Sequence, residues 1–308
     1  MKSRVLLLIV SLILLCCPGC KRKEEASKGR LFGVTFQTMN NPFFVDLNEG
    51  IKQVVEAHGD RLVTLDAQWD SLKQRNDISD LILQGASGIF INPRNWEGIT
   101  GSLLQAKDKG VKCIVVDAPV KDKELVVSQV ASDNVKAGRL AVQALAKVCR
   151  PAKIVILHLF VNKACIDRVA GFKEELAKYP DMEILDIQEG EGTTQGSRPV
   201  MRDLLGRFPE INAVFPINDP SALGAISALE SAGKLKDVTV VTVDGSQDGI
   251  AAIKAGKLLS TSAQFPKEIG RIAAETMYKS LAGETVEKDI KIKVELITKD
   301  NADAFLAQ

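Results

Sequence analysis

The feature that most constrains this chain is an alternation, used twice, of short β-branched runs with stretches of helical period. Runs at 31–36, 61–67, 88–92 and 113–118 form one set, and runs at 154–159, 184–188, 213–217 and 238–243 form a second. Strands that alternate with helices pair in parallel, because only a crossover segment brings the chain back to start the next strand at the same end of the sheet. The first helical stretch shows the pattern: Phe44, Leu47, Ile51, Val54 and His58 recur at helical spacing, predict one buried face, and are followed by Gly59 as a stop. Gly110, Gly233, Gly256 and Gly283 are predicted to stop later helices in the same way. The predicted class is therefore α/β, with two doubly wound lobes.

Helix starts say where such lobes would hold a ligand. Asn41-Pro42 and Asp219-Pro220 each follow a predicted strand and open a predicted helix. Asn or Asp caps the free amides, and proline in the first turn loses no needed donor. Both junctions thus fall at the carboxyl ends of parallel strands, where open α/β sheets bind their ligands. The competing reading is that they are caps and nothing more.

The N-terminus sets the compartment. Lys2 and Arg4 precede an apolar run from Val5 to Leu15, broken only by Ser11, which has the size of a secretory signal core. Cys16-Cys17-Pro18-Gly19-Cys20 follows, and the segment resembles a bacterial lipoprotein signal in which Cys20 is lipidated; a plain signal peptide or an N-terminal membrane anchor is the alternative. Residues 1–19 are read as signal peptide and 20–30 as a charged tether, giving an exported protein held to the membrane, periplasmic or on the outer face. The Cys17-x-x-Cys20 spacing is no redox motif here, because it ends a signal core and adjoins no βαβ unit.

Composition excludes several function classes. Forty basic residues against 39 acidic ones leave no field that would draw nucleic acid. About 288 residues follow Cys20, enough for two lobes. Beyond Cys20 only Cys113, Cys149 and Cys165 remain, so there is no disulfide framework; free thiols are expected, with a Cys149–Cys165 bridge the alternative. The two histidines, His58 and His158, fall on a helix face and in a strand and read as packing residues. There is no Gly-x-Ser-x-Gly elbow, no Gly-Lys-Ser/Thr phosphate loop and no cluster at metal-ligand spacing, so no enzyme, metal or cofactor is expected. Gly190-x-Gly192-x-x-x-Gly196 is one residue too long for a dinucleotide fingerprint and reads as a permissive turn.

Six segments in order carry a family resemblance. They are Thr38-Met39-Asn40-Asn41-Pro42-Phe43-Phe44, Ile91-Asn92-Pro93, Ala131-Ser132-Asp133-Asn134, Ile217-Asn218-Asp219 with Ala222-Leu223-Gly224-Ala225, Val243-Asp244-Gly245, and Ala263-Gln264. Over roughly 31–298 the chain resembles the ribose-binding-protein type of type I periplasmic binding proteins. The resemblance implies two Rossmann-like lobes joined by a three-stranded hinge, with crossings near Ser132, Gln264 and Lys291. The first lobe would comprise 31–131 plus 265–290, and the second 132–264 plus 291–308. It implies ligand contact by Asn41, Phe43, Phe44, Asp117, Asn218, Asp244 and Gln264.

Departures from that family are as informative. Two clamping arginines of ribose binders align with Ala118 and Ile166, two aromatic walls with Gly192 and Val243, and a serine with Gln37. Losing both guanidinium groups removes directional partners for hydroxyls, so ribose held in the family manner is not expected. Gln37, Trp69, Trp96 and Asn162 are candidates to complete the site, as is Arg168 two residues beyond Ile166. The competing readings are surface packing for the tryptophans and a helix-surface ion pair for Arg168. The implied function is capture of a sugar-like solute for the membrane permease of an ATP-driven importer, by a monomer. Presentation to a sensor kinase or chemoreceptor, or binding of a non-sugar molecule such as a nucleoside, are the alternatives. A repressor sharing this core would need a DNA-binding headpiece where this chain has its signal segment.

Overall fold

The computed structural model describes residues 29–306; the expected signal peptide, the Cys20 lipidation site and most of the tether lie outside the described residues. The first elements are β1 (Leu31–Phe36), α1 (Pro42–Ala57), β2 (Arg61–Asp66), α2 (Ser71–Leu83), β3 (Gly88–Ile91), α3 (Thr100–Asp108), β4 (Lys112–Val116) and β5 (Ser128–Ser132). Next come α4 (Asn134–Leu145), β6 (Ala152–His158), α5 (Lys163–Leu176), β7 (Met182–Glu189), α6 (Thr194–Arg207), β8 (Ala213–Pro216), α7 (Asp219–Ser231), β9 (Thr239–Asp244), α8 (Gln247–Lys254) and β10 (Ser260–Ala263). The chain ends with α9 (Pro266–Leu281), β11 (Asp289–Ile292), β12 (Glu295–Thr298) and α10 (Ala302–Leu306).

These strands build two six-stranded sheets, ordered β2-β1-β3-β4-β5-β11 and β7-β6-β8-β9-β10-β12. The two orders are equivalent, so the predicted class, α/β with two doubly wound lobes, is the observed one. All pairings are parallel except β10 with β12. Burial follows sheet position. The inner strands β1, β3 and β8 are buried along their whole length, whereas the edge strands β2 and β7 are partly exposed.

Strands β5, β10, β11 and β12 were not signalled by hydrophobic runs. In β5 and β10 the polar Ser128, Ser132, Ser260, Thr261 and Ser262 are nonetheless buried. Some of their hydroxyls find local partners, as when Ser262 Oγ donates to the Ala137 carbonyl at 3.0 Å. Around these strands the chain passes between lobes: after β5, between β10 and α9, and between β11 and β12.

Two helix pairs are held at unusually close range by glycine. A Cβ on Gly138 of α4 would lie 1.9 Å from the Arg168 carbonyl, and one on Gly171 of α5 would lie 1.9 Å from the Val135 carbonyl. Gly50 and Gly270 play the same reciprocal role between α1 and α9. The buried face of α1 differs slightly from expectation: Val55 is buried, Val54 is half-buried, and His58 is exposed at the C-cap. His58 is spared as a core residue because its ring stacks on Tyr278, 3.7 Å between centroids. His158 is buried in β6 as expected. Cys113, Cys149 and Cys165 are free thiols, so the Cys149–Cys165 bridge does not form.

The glycine spacing makes a prediction. Gly138→Ala should force α4 and α5 apart and cost about 1–3 kcal/mol by overpacking. Gly206→Ala, in α6 with nothing within 4 Å of the added methyl, should leave Tm unchanged or raise it. Thermal melts of the two variants test this; equal melting temperatures would mean the α4–α5 approach is not tight in solution.

Candidate functional site

A cavity lies between the lobes, with about 420 Å³ of empty space counting its open mouth. Its walls come from the carboxyl ends of strands in both sheets. From the first lobe Gln37, Asn41, Phe43 and Phe44 follow β1, Trp69 follows β2 and Asp117 follows β4. From the second, Leu159, Asn162, Ala164 and Cys165 follow β6, Gly192 follows β7, Asn218 follows β8 and Asp244 ends β9. Gln264, at the crossing after β10, closes the ring together with Arg168 of α5. Of the twelve residues that the sequence offered to the site, eleven, including Gln37, Trp69, Asn162 and Arg168, therefore line one cavity, and Trp96 does not.

Helix caps position the amides. Asn41 Oδ1 accepts from the Phe43 N–H at 3.0 Å and caps α1, which leaves its Nδ2 unengaged toward the cavity. Asn162 caps α5 through the Cys165 N–H at 3.2 Å. At α7 the cap is Asn218, not Asp219: Asn218 Oδ1 accepts from the Ser221 N–H while its Nδ2 donates to the Gly192 carbonyl. Asp219 sits one residue further in and is buried, accepting from Thr261 Oγ1 at 2.8 Å and from both the N–H and Oγ of Ser246 at 2.7 Å. The expectation that Asp219 caps the helix fails because that carboxylate bonds across to the β9–α8 and β10 segments instead.

The aromatic walls are Phe43 and Trp69. Phe43 meets Phe44 edge-on, with centroids 5.4 Å apart, and Phe44 packs back on Phe36 in the first lobe's core. Trp69 has φ +62° and lies under the Arg94 guanidinium, 5.0 Å from the ring centroid. It reaches across to the second lobe's apolar core. Trp96 is not in the cavity wall; its backbone N–H donates to the Val161 carbonyl at 3.2 Å, and Lys163 Nζ stands 5.8 Å from its ring centroid. These cross-cleft contacts describe a closed arrangement of the lobes. Ala118 and Val243 are fully buried away from the cavity, so nothing on them replaces the arginine and the aromatic wall lost there.

Charge in the cavity is unbalanced. Asp117 and Asp244 face Arg168, the only cation of the wall among the described residues. Arg168 is buried to 4 % exposure, so it is no helix-surface ion pair. Its Nε donates to Asn134 Oδ1 at 2.9 Å, its Nη1 to the Ile217 carbonyl at 2.7 Å, and Nη1 is 3.6 Å from Asp244 Oδ1. Asp244 also accepts from Gln264 Nε2 at 2.8 Å. Asp117 accepts from Asn92 Nδ2 at 2.9 Å, and Asn92 in turn accepts the Gln37 N–H. Asp117 and Asp244 have φ of +66° and +140°, conformations that cost a non-glycine residue on the order of 1–3 kcal/mol and cluster at functional sites. No sequence signal announces that strain.

Burial pushes the Asp117 carboxyl up to about 6; Asp244 adds to the rise, and Arg168 and the Asn92 bond oppose it. Burial likewise raises Asp219 and Asp244, which face each other. Burial, with Lys173 adding, depresses the His158 imidazole to about 4. Because the folded value of Asp117 lies above the ordinary 3.8, its contribution to stability is full below about pH 4 and is lost as pH rises through about 6. His158 has the opposite direction: its contribution is full above about pH 6.5 and is lost as pH falls through about 4. The variant Asp117→Asn isolates the first effect, since its amide oxygen still accepts from Asn92. In melts of the ligand-free protein from pH 4.5 to 8, the variant should gain on the parent as pH rises, by ~2 kcal/mol, and level off above about pH 7. A difference that does not change with pH would mean that this carboxyl titrates as an ordinary one.

Residues 32–285 match the periplasmic binding protein domain. The chain is 36 % identical over 272 residues to the ribose import binding protein RbsB of Bacillus subtilis, covering 87 % of each chain. It is 31 % identical over 303 residues to a xylitol-binding protein of Mycolicibacterium smegmatis, covering 96 % of this chain and 85 % of that one. Among solved structures, a Mycobacterium smegmatis protein in complex with β-D-fucofuranose superposes with a TM-score of 0.84 at 29 % identity, over 91 % of this chain and 95 % of that one. An ABC transporter solute-binding protein of Bacillus halodurans with bound myo-inositol also gives 0.84, at 26 % identity over 92 % and 99 % of the two chains. With the fold, the interlobe cavity and these likenesses together, the chain belongs to the periplasmic binding protein family, as an extracytoplasmic solute-binding protein of the ribose-import type and not an enzyme.

Proposed function

We propose that this protein is an exported lipoprotein, anchored through Cys20, that captures one small polyhydroxylated ligand between its lobes and hands it to the permease of a sugar importer. The observation that carries the reading is the convergence of carboxylates, amides, one guanidinium and two aromatic faces on a single cavity at the strand ends of both sheets. Hydroxyl groups both donate and accept, so they suit such a mixture, while an aromatic face covers the apolar side of a sugar ring. Asn41 Nδ2 and Arg168 supply donors, Asp117, Asp244 and Gln264 Oε1 supply acceptors, and Phe43 and Trp69 supply the walls. Closure about the crossings near Ser132, Gln264 and the β11–β12 link is the motion that admits and releases the ligand.

The ligand differs from ribose held in the ribose-import manner, because the cavity has one guanidinium and keeps neither lost arginine position charged. Relatives and structural neighbours are named for ribose, xylitol, myo-inositol and fucofuranose, and this range defines the test panel. A ligand at a thousandfold excess over Kd stabilises the folded state by about 4 kcal/mol, which raises Tm on the order of 10 °C for a chain of this size. One compound class from a panel of pentoses, hexoses, polyols and nucleosides should give that shift, ribose should not give the largest, and Asp244→Ala should abolish it. A largest shift with ribose would overturn the ligand assignment, and one confined to nucleosides would overturn the sugar reading. For the anchor, Cys20→Ser should move the protein from the detergent-extracted membrane fraction to the soluble one; retention in the membrane would mean that another feature holds it there.

A further inference from the structure

The cavity presents acceptor atoms that no donor of the described residues reaches. Asp117 Oδ2 accepts from Asn92, but no hydrogen bond from the described residues reaches Oδ1. Gln264 is oriented by its Nε2, which donates to Asp244 Oδ1; turning the amide over would set its oxygen against a carboxylate. Its Oε1 is thereby fixed as an acceptor, is buried, and has no partner. Gln37 Oε1 is likewise buried with no partner, on a side chain only 3 % exposed. A buried acceptor without a donor is costly, so Gln264 Oε1, with Asp117 Oδ1, marks where a bound molecule donates.

The charges point the same way. Arg168 spends Nε on Asn134 and Nη1 on the Ile217 carbonyl, and it leans toward Asp244. The neighbours of Asp117 and Arg168 that could have added a cation are Ala118 and Ile166. One guanidinium therefore faces two wall carboxylates, with Asp219 behind Asp244 satisfied by hydroxyl and backbone donors alone. Hydroxyls of a neutral ligand would satisfy hydrogen bonds but leave that charge uncompensated among buried side chains, where an unpaired carboxylate is expensive. An ammonium group brings three donors, no acceptor and a positive charge.

We infer that the natural ligand carries a protonated amine beside its hydroxyls, as an amino sugar or an amino polyol does, with the amine on the Asp117 side of the cavity. This rests on the reading of the cavity as the sugar-binding site. The tested protein is the full-length chain purified in detergent, and the probes are matched sets: glucose, glucosamine and N-acetylglucosamine; galactose and galactosamine; and an inositol with its monoamine. Calorimetric titration at pH 7 should find at least one set in which the amine binds ten-fold or more tighter than its hydroxyl partner, while the neutral N-acetyl form shows no such gain. Asp117→Asn should shrink the amine's advantage to about threefold or less, and because it still accepts from Asn92 the variant should fold. An amine that binds no better than its hydroxyl partner, in sets where either binds, overturns the inference and leaves the sugar reading standing. Absence of binding by every sugar, polyol and amine overturns both.

Discussion

The site turns on one buried guanidinium. Arg168 lies between Asp244 of its own lobe and Asp117 of the other, and without it two carboxylates would share a closed cavity with no positive charge. The rest of the second lobe is arranged so that this side chain can be there. Reciprocal glycines, Gly138 and Gly171, let α4 and α5 touch backbone to backbone, which brings Arg168 Nε within reach of Asn134 at the start of α4. The carbonyl of Ile217 at the end of β8 takes a second donor. A buried charge is tolerated only when such partners surround it, and every one of them comes from a different segment of the chain.

Sheet topology explains why the remaining groups meet it. In both lobes the strand order reverses beside the first strand, so loops leaving the carboxyl ends splay apart and open a crevice there. Facing two such crevices across three crossings makes one cavity with two halves. Asp117 and Asp244 occupy comparable places, after β4 and at the end of β9, and both adopt left-handed backbone conformations. The strain is held by side-chain bonds from Asn92 to one and from Gln264 to the other. Trp69 and Trp96 act at the rim: one reaches across to the second lobe's core, and the other bonds to Val161 beside Lys163. Contacts of that kind form only when the lobes are closed, so the closed form is stabilised partly by direct contact between the lobes.

The limits of reading the sequence fall at particular residues. Buried strands rich in valine and isoleucine, such as β4 and β6, were plain from composition, whereas β10 was not, because Ser260, Thr261 and Ser262 look like loop residues and the partners of Thr261 on α7 and Ser262 on α4 exist only in the fold. Asp219 before a proline looked like a helix cap; it is instead the acceptor of three bonds from Ser246 and Thr261, and Asn218 does the capping. His58 carried the right period for a buried face but lies outside it, resting on Tyr278, more than two hundred positions away along the chain. Leu159, Ala164 and Cys165 line the cavity without any signal, since small and apolar residues after a strand are the commonest residues of any core. The lipidation and tether expectations rest on residues outside the described part of the chain.

By itself the sequence determined the α/β class, the duplication of the lobes and the set of polar and aromatic residues at the strand ends. These are local properties: hydrophobic period, cap chemistry and motif order survive in a linear string. Only the tertiary structure decided that Arg168 is buried and Trp96 is not in the wall, that Asp117 and Asp244 share one cation, and that Gln37 and Gln264 each present an unpartnered oxygen. Those outcomes depend on distances between segments far apart in the chain. The energy of a buried charge or a lone acceptor is set by what surrounds it in space, and no residue carries that in its own identity.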